Sequence, residues 1–257
     1  MTYLYCLVRS ARRPAPGRVS GGVPGAGPLR ALEAGGGLWL AVADVPDAEY
    51  GEAAIARGLQ QLEWVSRRAM GHEAVVEAFL GAAAVLPMQL FTMFTSDARA
   101  LDHVRRDRRR IDRILARVAG HVEWGLRLTF DEASARRQVE RAHRAPAAGE
   151  RSGASYLARK RDLRDVGRAQ IARARAEATR LYRHLAAHAS DARRRTSTEA
   201  AAPGSRLLLD AAYLVPAKRA AAFRQALRRG ARTLDAAGIV VSLTGPWPPY
   251  NFIAPAR

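Results

Sequence analysis

Six histidines and one cysteine are the residues of this chain best suited to metal or nucleophilic chemistry. His184 and His188 stand four apart, a spacing that places two imidazoles on one helix face, where they could share a metal ion. No neighbouring carboxylate or third ligand accompanies them. His72-Glu73 has the makings of an acid/base pair, but at the start of a helical stretch it reads as a capping element. Cys6 lies within an apolar run and reads as a small core residue; a lone cysteine leaves no internal disulfide and no Cys-based zinc site. The chain carries no P-loop, no G-x-G-x-x-G fingerprint and no H-E-x-x-H. Gly35-Gly36-Gly37 precedes a strand rather than opening a helix, so it is no phosphate cradle. No Ser/His/Asp or Cys/His set assembles, and the expectation is a protein that is not an enzyme and takes no cofactor and no metal.

Binding chemistry is better represented. Gly245-Pro246-Trp247-Pro248-Pro249-Tyr250-Asn251-Phe252 packs three prolines and three aromatic residues together in a chain that is 7% aromatic overall. Each proline fixes φ and removes a backbone donor, which excludes a helix or a central strand. A stiff segment of this kind loses little entropy on docking, so Trp247, Tyr250 and Phe252 are candidate anchors, either over their own domain or against another protein.

Charge supplies a second candidate surface. The chain carries a net +18 and 40 of its 42 basic residues are arginine. Residues 136–183 hold 14 basic against 5 acidic side chains, a net of +9. Arg159, Lys160, Arg161 and Arg164 are the densest part of it and are candidate contacts for an acidic protein partner. A nucleic-acid-binding protein is the alternative reading, disfavoured because only Tyr156 and Tyr182 interleave with the arginines and no stacking platform forms.

The elements that must position these residues follow from periodicity. Tyr3–Val8 and Leu38–Ala43 read as buried strands around a Gly/Pro/Arg-rich loop over Ser10–Pro28. A helix is expected from about Glu49 to Met70, with Ile55, Leu59, Leu62 and Val65 on its apolar face, interrupted at Gly71 and followed by a short helix over His72–Leu80. Val85–Phe91 reads as a strand with an edge or bulge at Pro87. Ser96 or Asp97 caps a helix whose seam is Leu101, Val104, Ile111, Leu115 and Val118, broken by Arg108. Val122–Phe130 alternates cleanly, with Glu123, Gly125, Arg127 and Thr129 on the polar side. A basic helical region covers residues 153–190, with a break near Gly167 and a narrow seam of Ile171, Ala174, Ala178, Leu181 and Leu185 that packs on the sheet or pairs with another helix. Leu207–Val215, Ala217–Ala237 and Ile239–Leu243 then read as strand, helix and strand.

Strand–helix–strand–helix–strand in the second half is most simply packed as an open sheet with helices on one face. The expected fold is α+β in two domains. The first spans 1–119; the second spans 120–257 and is a modified ferredoxin-like fold with a long helical insertion, ending in the tail over 244–257. No stretch approaches the apolar length of a membrane span, and Met1–Val8 is too short for a signal peptide, so a cytoplasmic protein without membrane association is expected.

Several of these stretches, in this order, resemble the gas vesicle F/L family (GvpF/GvpL). They are Tyr3-Leu4-Tyr5-Cys6-Leu7-Val8; His72 with Val85-Leu86-Pro87-Met88 and Phe94; Gly120-His121-Val122-Glu123-Trp124-Gly125-Leu126-Arg127; Gly153-Ala154-Ser155-Tyr156-Leu157; Ala212-Tyr213-Leu214-Val215; and the terminal proline-aromatic run. Where many members carry a basic residue followed by Phe-Gly-Thr, this chain has Gln89-Leu90-Phe91-Thr92, which marks a subgroup and leaves the choice between F and L open. The resemblance implies a non-enzymatic accessory role in building gas-filled protein shells. It also implies contact with the small hydrophobic shell protein and other accessory proteins, location at the gas vesicle, and two α+β domains, the second a modified ferredoxin fold.

Overall fold

The computed structural model describes residues 1–15, 21–132, 153–196, 204–232 and 234–253. The chain divides into two compact units, Met1–Glu123 with Pro246–Arg257, and Trp124–Gly245. The terminal tail, expected with the second domain, therefore groups with the first unit.

In the first unit β1 (Thr2–Arg9) is the central strand, fully buried from Thr2 to Val8 because no charge interrupts it before Arg9. It lies between β3 (Leu38–Asp44) and β4 (Ala84–Pro87), all antiparallel, while β2 (Arg30–Glu33) pairs with β3 at the edge and β5 (Met93–Phe94) pairs with the start of β1. The β1–β3 register shifts between Leu4 and Cys6. A bulge there resets the two-residue alternation, so Tyr3, Tyr5, Cys6 and Val8 all join one core with Tyr50, Val75, Val76 and Phe79. Gly35, Gly36 and Gly37 turn β2 into β3 with φ of 83°, 57° and 70°. Three successive left-handed residues are open only to glycine, which is the function of that triplet.

The helices differ from the sequence expectation in one instructive way. The segment after β3 forms α1 (Asp47–Tyr50), α2 (Glu52–Gly58) and α3 (Leu62–Glu77), so the break falls at Leu59–Gln61 and α3 runs straight through Gly71. The Trp64 ring lies against Gly58, where a Cβ would come within 2.4 Å of it, and Gln61 is extended. Gly71 answers a different demand: the Gly22 carbonyl would lie 2.5 Å from its Cβ, so the incoming loop packs on the bare helix backbone. Leu59 and Leu62 are exposed rather than core-facing. His72 is therefore no cap but an interior helix residue, 4% exposed. The strand expected over Val85–Phe91 ends at Pro87, and Met88–Thr92 turns back toward β5. Ser96 does cap α4 (Asp97–Arg106), accepting from the Arg99 N–H at 3.3 Å. Asp107 then separates it from α5 (Arg108–Val118), which buries Ile111, Leu115 and Val118.

In the second unit β6 (His121–Asp131), α6 (Gly153–Ala186), β7 (Asp191–Arg194), β8 (Ser205–Pro216), α7 (Ala220–Gly230) and β9 (Ile239–Trp247) form a sheet of order β7-β8-β6-β9 with two helices. Helix α6 is continuous for 34 residues, about 51 Å at 1.5 Å per residue; the expected break at Gly167 is absent. Its buried seam is Ala174, Ala178, Leu181 and Leu185, meeting β8 and α7. Small residues at the seam allow close approach, and a Cβ on Gly230 of α7 would lie 2.7 Å from Leu181 Cδ1. The helix expected over Ala217–Ala237 is shorter, flanked by single 3-10 turns and closed by Gly238 at φ 72°. β7 was not expected from its sequence, Asp-Ala-Arg-Arg; it pairs antiparallel with β8, and Arg195 beyond it bonds Asp210, 2.7 Å from Nε. No helix among the described residues is long and apolar enough to cross a membrane.

Candidate functional site

The first unit gathers residues that lie far apart in the chain. His72 on α3 is held at both ring nitrogens. Nε2 lies 3.2 Å from the Met88 carbonyl oxygen, which can only accept, so Nε2 carries the proton. Nδ1 then accepts from the Tyr3 hydroxyl at 2.9 Å, and that hydroxyl accepts from the Phe91 N–H at 3.2 Å. One hydrogen-bonded chain thus ties β1, α3 and the turn after β4. Burial holds His72 neutral, its pKa lowered to about 4 against the opposing bond to Met88. Burial also drives the Tyr3 hydroxyl well above the ordinary phenol range. A neutral imidazole with both nitrogens engaged and a phenol that stays protonated make a structural clasp; no group in it is poised to exchange a proton near neutrality.

The turn that this clasp holds carries strain. Phe91 has φ 65°, the single non-glycine residue with positive φ among the described residues. It occupies the glycine position of the Phe-Gly-Thr pattern noted above. Its ring stacks on Trp64 with centroids 5.5 Å apart and planes at 27°, which offsets the backbone cost. Trp64 in turn carries the buried Arg68 guanidinium 3.8 Å from its ring centroid, and the Tyr50 ring centroid lies 5.0 Å from the same group.

The proline-aromatic tail docks on this unit. Strand β9 continues to Trp247, and its place at the sheet edge accommodates Pro246. Pro248 and Pro249 are buried, Tyr250 packs on the core containing Tyr3 and Tyr5, and Phe252 is fully buried in a single 3-10 turn. Burying Phe252 stabilises the docked tail by about 1.5–3 kcal/mol. Phe252 is thereby withdrawn from any outer surface, while Trp247 and Tyr250 stay half-buried. Asn251 reaches Glu123, donating its backbone N–H to Oε2 at 2.8 Å and its side-chain amide to Oε1. Glu123 is 2% exposed, although strand alternation placed it on the polar side. Both residues lie in stretches the sequence singles out, but nothing there pairs them; a carboxylate directly before Trp124 in a strand expected to be half-buried is the available signal.

Two grooves flank Met88, Gln89 and Ile253. One, of about 400 Å³, is bounded by Ala69, His72, Glu73, Leu90 and Tyr250. The other, of about 250 Å³, opens toward α4 and α5. Both are mostly apolar.

In the second unit, Arg161 and Arg164 are exposed on α6; the side chains of Arg159 and Lys160 lie outside the described residues. His184 and His188 bring their rings to 5.2 Å at 74°, and among the described residues no third His, Cys, Asp or Glu joins them.

Comparison with known proteins gives one consistent picture. Residues 1–254 match the family described as gas vesicle synthesis protein GvpL/GvpF. The chain is 30% identical over 256 residues to gas vesicle protein L of Streptomyces sp. (strain CB03234), covering 98% of this chain and 92% of that one. Its fold is similar to the crystal structure of gas vesicle protein GvpF from Anabaena sp. PCC7120, with a TM-score of 0.69 at 13% identity over 100% of this chain and 97% of that one. GvpF from Microcystis aeruginosa is similarly related, with a TM-score of 0.67 at 13% identity over 98% of each chain.

Proposed function

Because the chain belongs to the gas vesicle synthesis protein GvpL/GvpF family, we propose that it is a non-enzymatic accessory protein that supports nucleation and assembly of the gas vesicle shell. The family match over residues 1–254 carries this reading, since it takes in both the opening strand and the proline-aromatic tail. The partners are the hydrophobic shell protein and other accessory proteins, met in the cytoplasm and at the vesicle. A shell subunit with a strongly apolar face aggregates if released alone, and a partner with docking surfaces shields it or seeds its ordered addition. Trp247 and Tyr250, half-buried at the tail, are candidate contacts, and Arg161 and Arg164 with Arg159 and Lys160 steer acidic partners. The second unit is read as a ferredoxin-like variant, supported by its strand–helix–strand–strand–helix–strand order and the sheet order β7-β8-β6-β9.

Co-purification with the shell protein, followed by washing of purified vesicles and probing for this chain, tests the role. Retention on washed vesicles marks a structural component; loss from vesicles whose formation still requires the chain marks an assembly factor. Wild-type vesicle yield without this chain, and no co-purification, overturns the proposal. Wild-type yield from a folded Trp247→Ala, Tyr250→Ala double variant removes the tail as a contact surface and leaves it as an internal staple.

A further inference from the structure

The groove on the α4–α5 side has walls of two kinds. Leu7, Leu86, Ile111, Ile114 and Ile253 form its apolar floor and sides, and His103, Asp107 and Arg110 stand among them. Its volume of about 250 Å³ falls below the roughly 300–1,000 Å³ of small-molecule sites and suits one or two aliphatic side chains. On α5, Arg110, Arg113, Ile114 and Arg117 repeat at i, i+3, i+4 and i+7, along one side of the helix.

The charges around this groove are unbalanced for a local reason. Three of the carboxylates in the α4–α5 segment are engaged: Asp97 by Arg30, Asp102 by Arg105, and Asp112 by both Arg9 and Arg108. Arg106, Arg109, Arg110 and Arg113 form no ion pair among the described residues and are exposed, leaving Asp107 as the single acid among them.

We propose that this groove docks an acidic amphipathic helix of a partner protein, its apolar side chains entering between Ile114 and Ile253 and its carboxylates meeting Arg110 and Arg113. Charge complementarity selects that occupant. A second copy of this chain, itself at +18, would bring like charge to a basic rim. A bare polyanion would match the arginines but leave the apolar floor unfilled. The groove and its charges carry this surface independently of the assembly role.

Fluorescence anisotropy with the full chain and a labelled helical peptide, leucines on one face and glutamates flanking them, is the test. The amphipathic peptide is expected to bind at least about tenfold tighter than a scrambled peptide of equal composition, and Ile114→Ser to remove about tenfold of that affinity. Arg110→Glu should weaken the acidic peptide and favour its lysine counterpart, while Arg57→Glu, the same charge change on α2, should do neither. Should Ile114→Ser fail to fold, Ile253→Ser tests a second apolar residue of the lining. Equal affinity for the scrambled peptide overturns the proposal. So does equal weakening by Arg57→Glu, or anionic vesicles or duplex DNA binding more tightly than the peptide in a way that depends on Arg110 but not on Ile114.

Discussion

Asn251 holds Glu123 with two donors, its backbone N–H 2.8 Å from Oε2 and its side-chain amide on Oε1, across a separation of 128 residues. A carboxylate at 2% exposure is expensive to desolvate unless such donors face it. The terminal run and the start of β6, two of the stretches that carried the family resemblance, are thus joined by one contact. Asn251→Ala removes the amide donor and is expected to cost about 1.5–3 kcal/mol, read as a lowered urea midpoint, and to make the tail more accessible to limited proteolysis. An unchanged midpoint and cleavage pattern would mean that the tail is held without this bond.

Two glycines on helices should respond oppositely to alanine. At Gly71 the new Cβ would lie 2.5 Å from the Gly22 carbonyl oxygen, and backbone cannot yield cheaply. Gly71→Ala is expected to destabilise by about 1–3 kcal/mol as an overpacked contact. At Gly167 nothing lies within 4 Å, so Gly167→Ala is expected to stabilise by up to about 1 kcal/mol through helix propensity. Thermal melts of both variants check the sign; a stabilised Gly71→Ala would mean that the Gly22 loop does not pack there.

Gly71 and Gly167 also show where sequence reading succeeds and where it stops. Continuous apolar runs made β1 and β3 legible, and periodicity made β6 and the seams of α4, α5 and α6 legible, because burial leaves its mark on residue type. Both glycines look like helix breaks in the sequence, and neither is one, since intrinsic propensity is a weak prior that tertiary packing overrides. The true break falls at Leu59–Gln61, where the Trp64 ring lies on Gly58, a contact that no local pattern announces. β2 and β7 were missed for a related reason: each has four residues, with Arg-Ala-Leu-Glu and Asp-Ala-Arg-Arg supplying no apolar alternation. The tail was legible as an anchor, but its partner surface was not, because docking onto the first unit joins residues from opposite ends of the chain.

Phe91 should be easier to replace by glycine than by alanine. Its φ of 65° costs any L-residue about 1–2 kcal/mol, which glycine does not incur. Phe91→Ala keeps that strain and loses the stack on Trp64; Phe91→Gly loses the stack and relieves the strain. The glycine variant is therefore expected to be the more stable of the two by about 1 kcal/mol in denaturant unfolding. The reverse order would contradict a left-handed conformation at this turn.

His72 should make the first unit acid-sensitive. In the unfolded chain its imidazole takes up a proton below the ordinary value of 6.5, whereas in the fold it stays neutral down to about 4. Between those values the unfolded state binds more protons, so stability falls as pH is lowered through the window, by about 3 kcal/mol in all at 1.36 kcal/mol per pKa unit. Below the window the protonated ring would also lose its bond from Tyr3, because Nδ1–H can no longer accept. His72→Gln, which cannot titrate there, is expected to start less stable but to lose less between pH 6.5 and 4. Urea unfolding of both proteins across that interval is the measurement; parallel pH profiles would show that the acid sensitivity arises elsewhere. Tyr3→Phe provides the companion variant: it strips the hydroxyl that serves both His72 and the Phe91 N–H, leaves both without that partner, and should cost about 1–3 kcal/mol above the window.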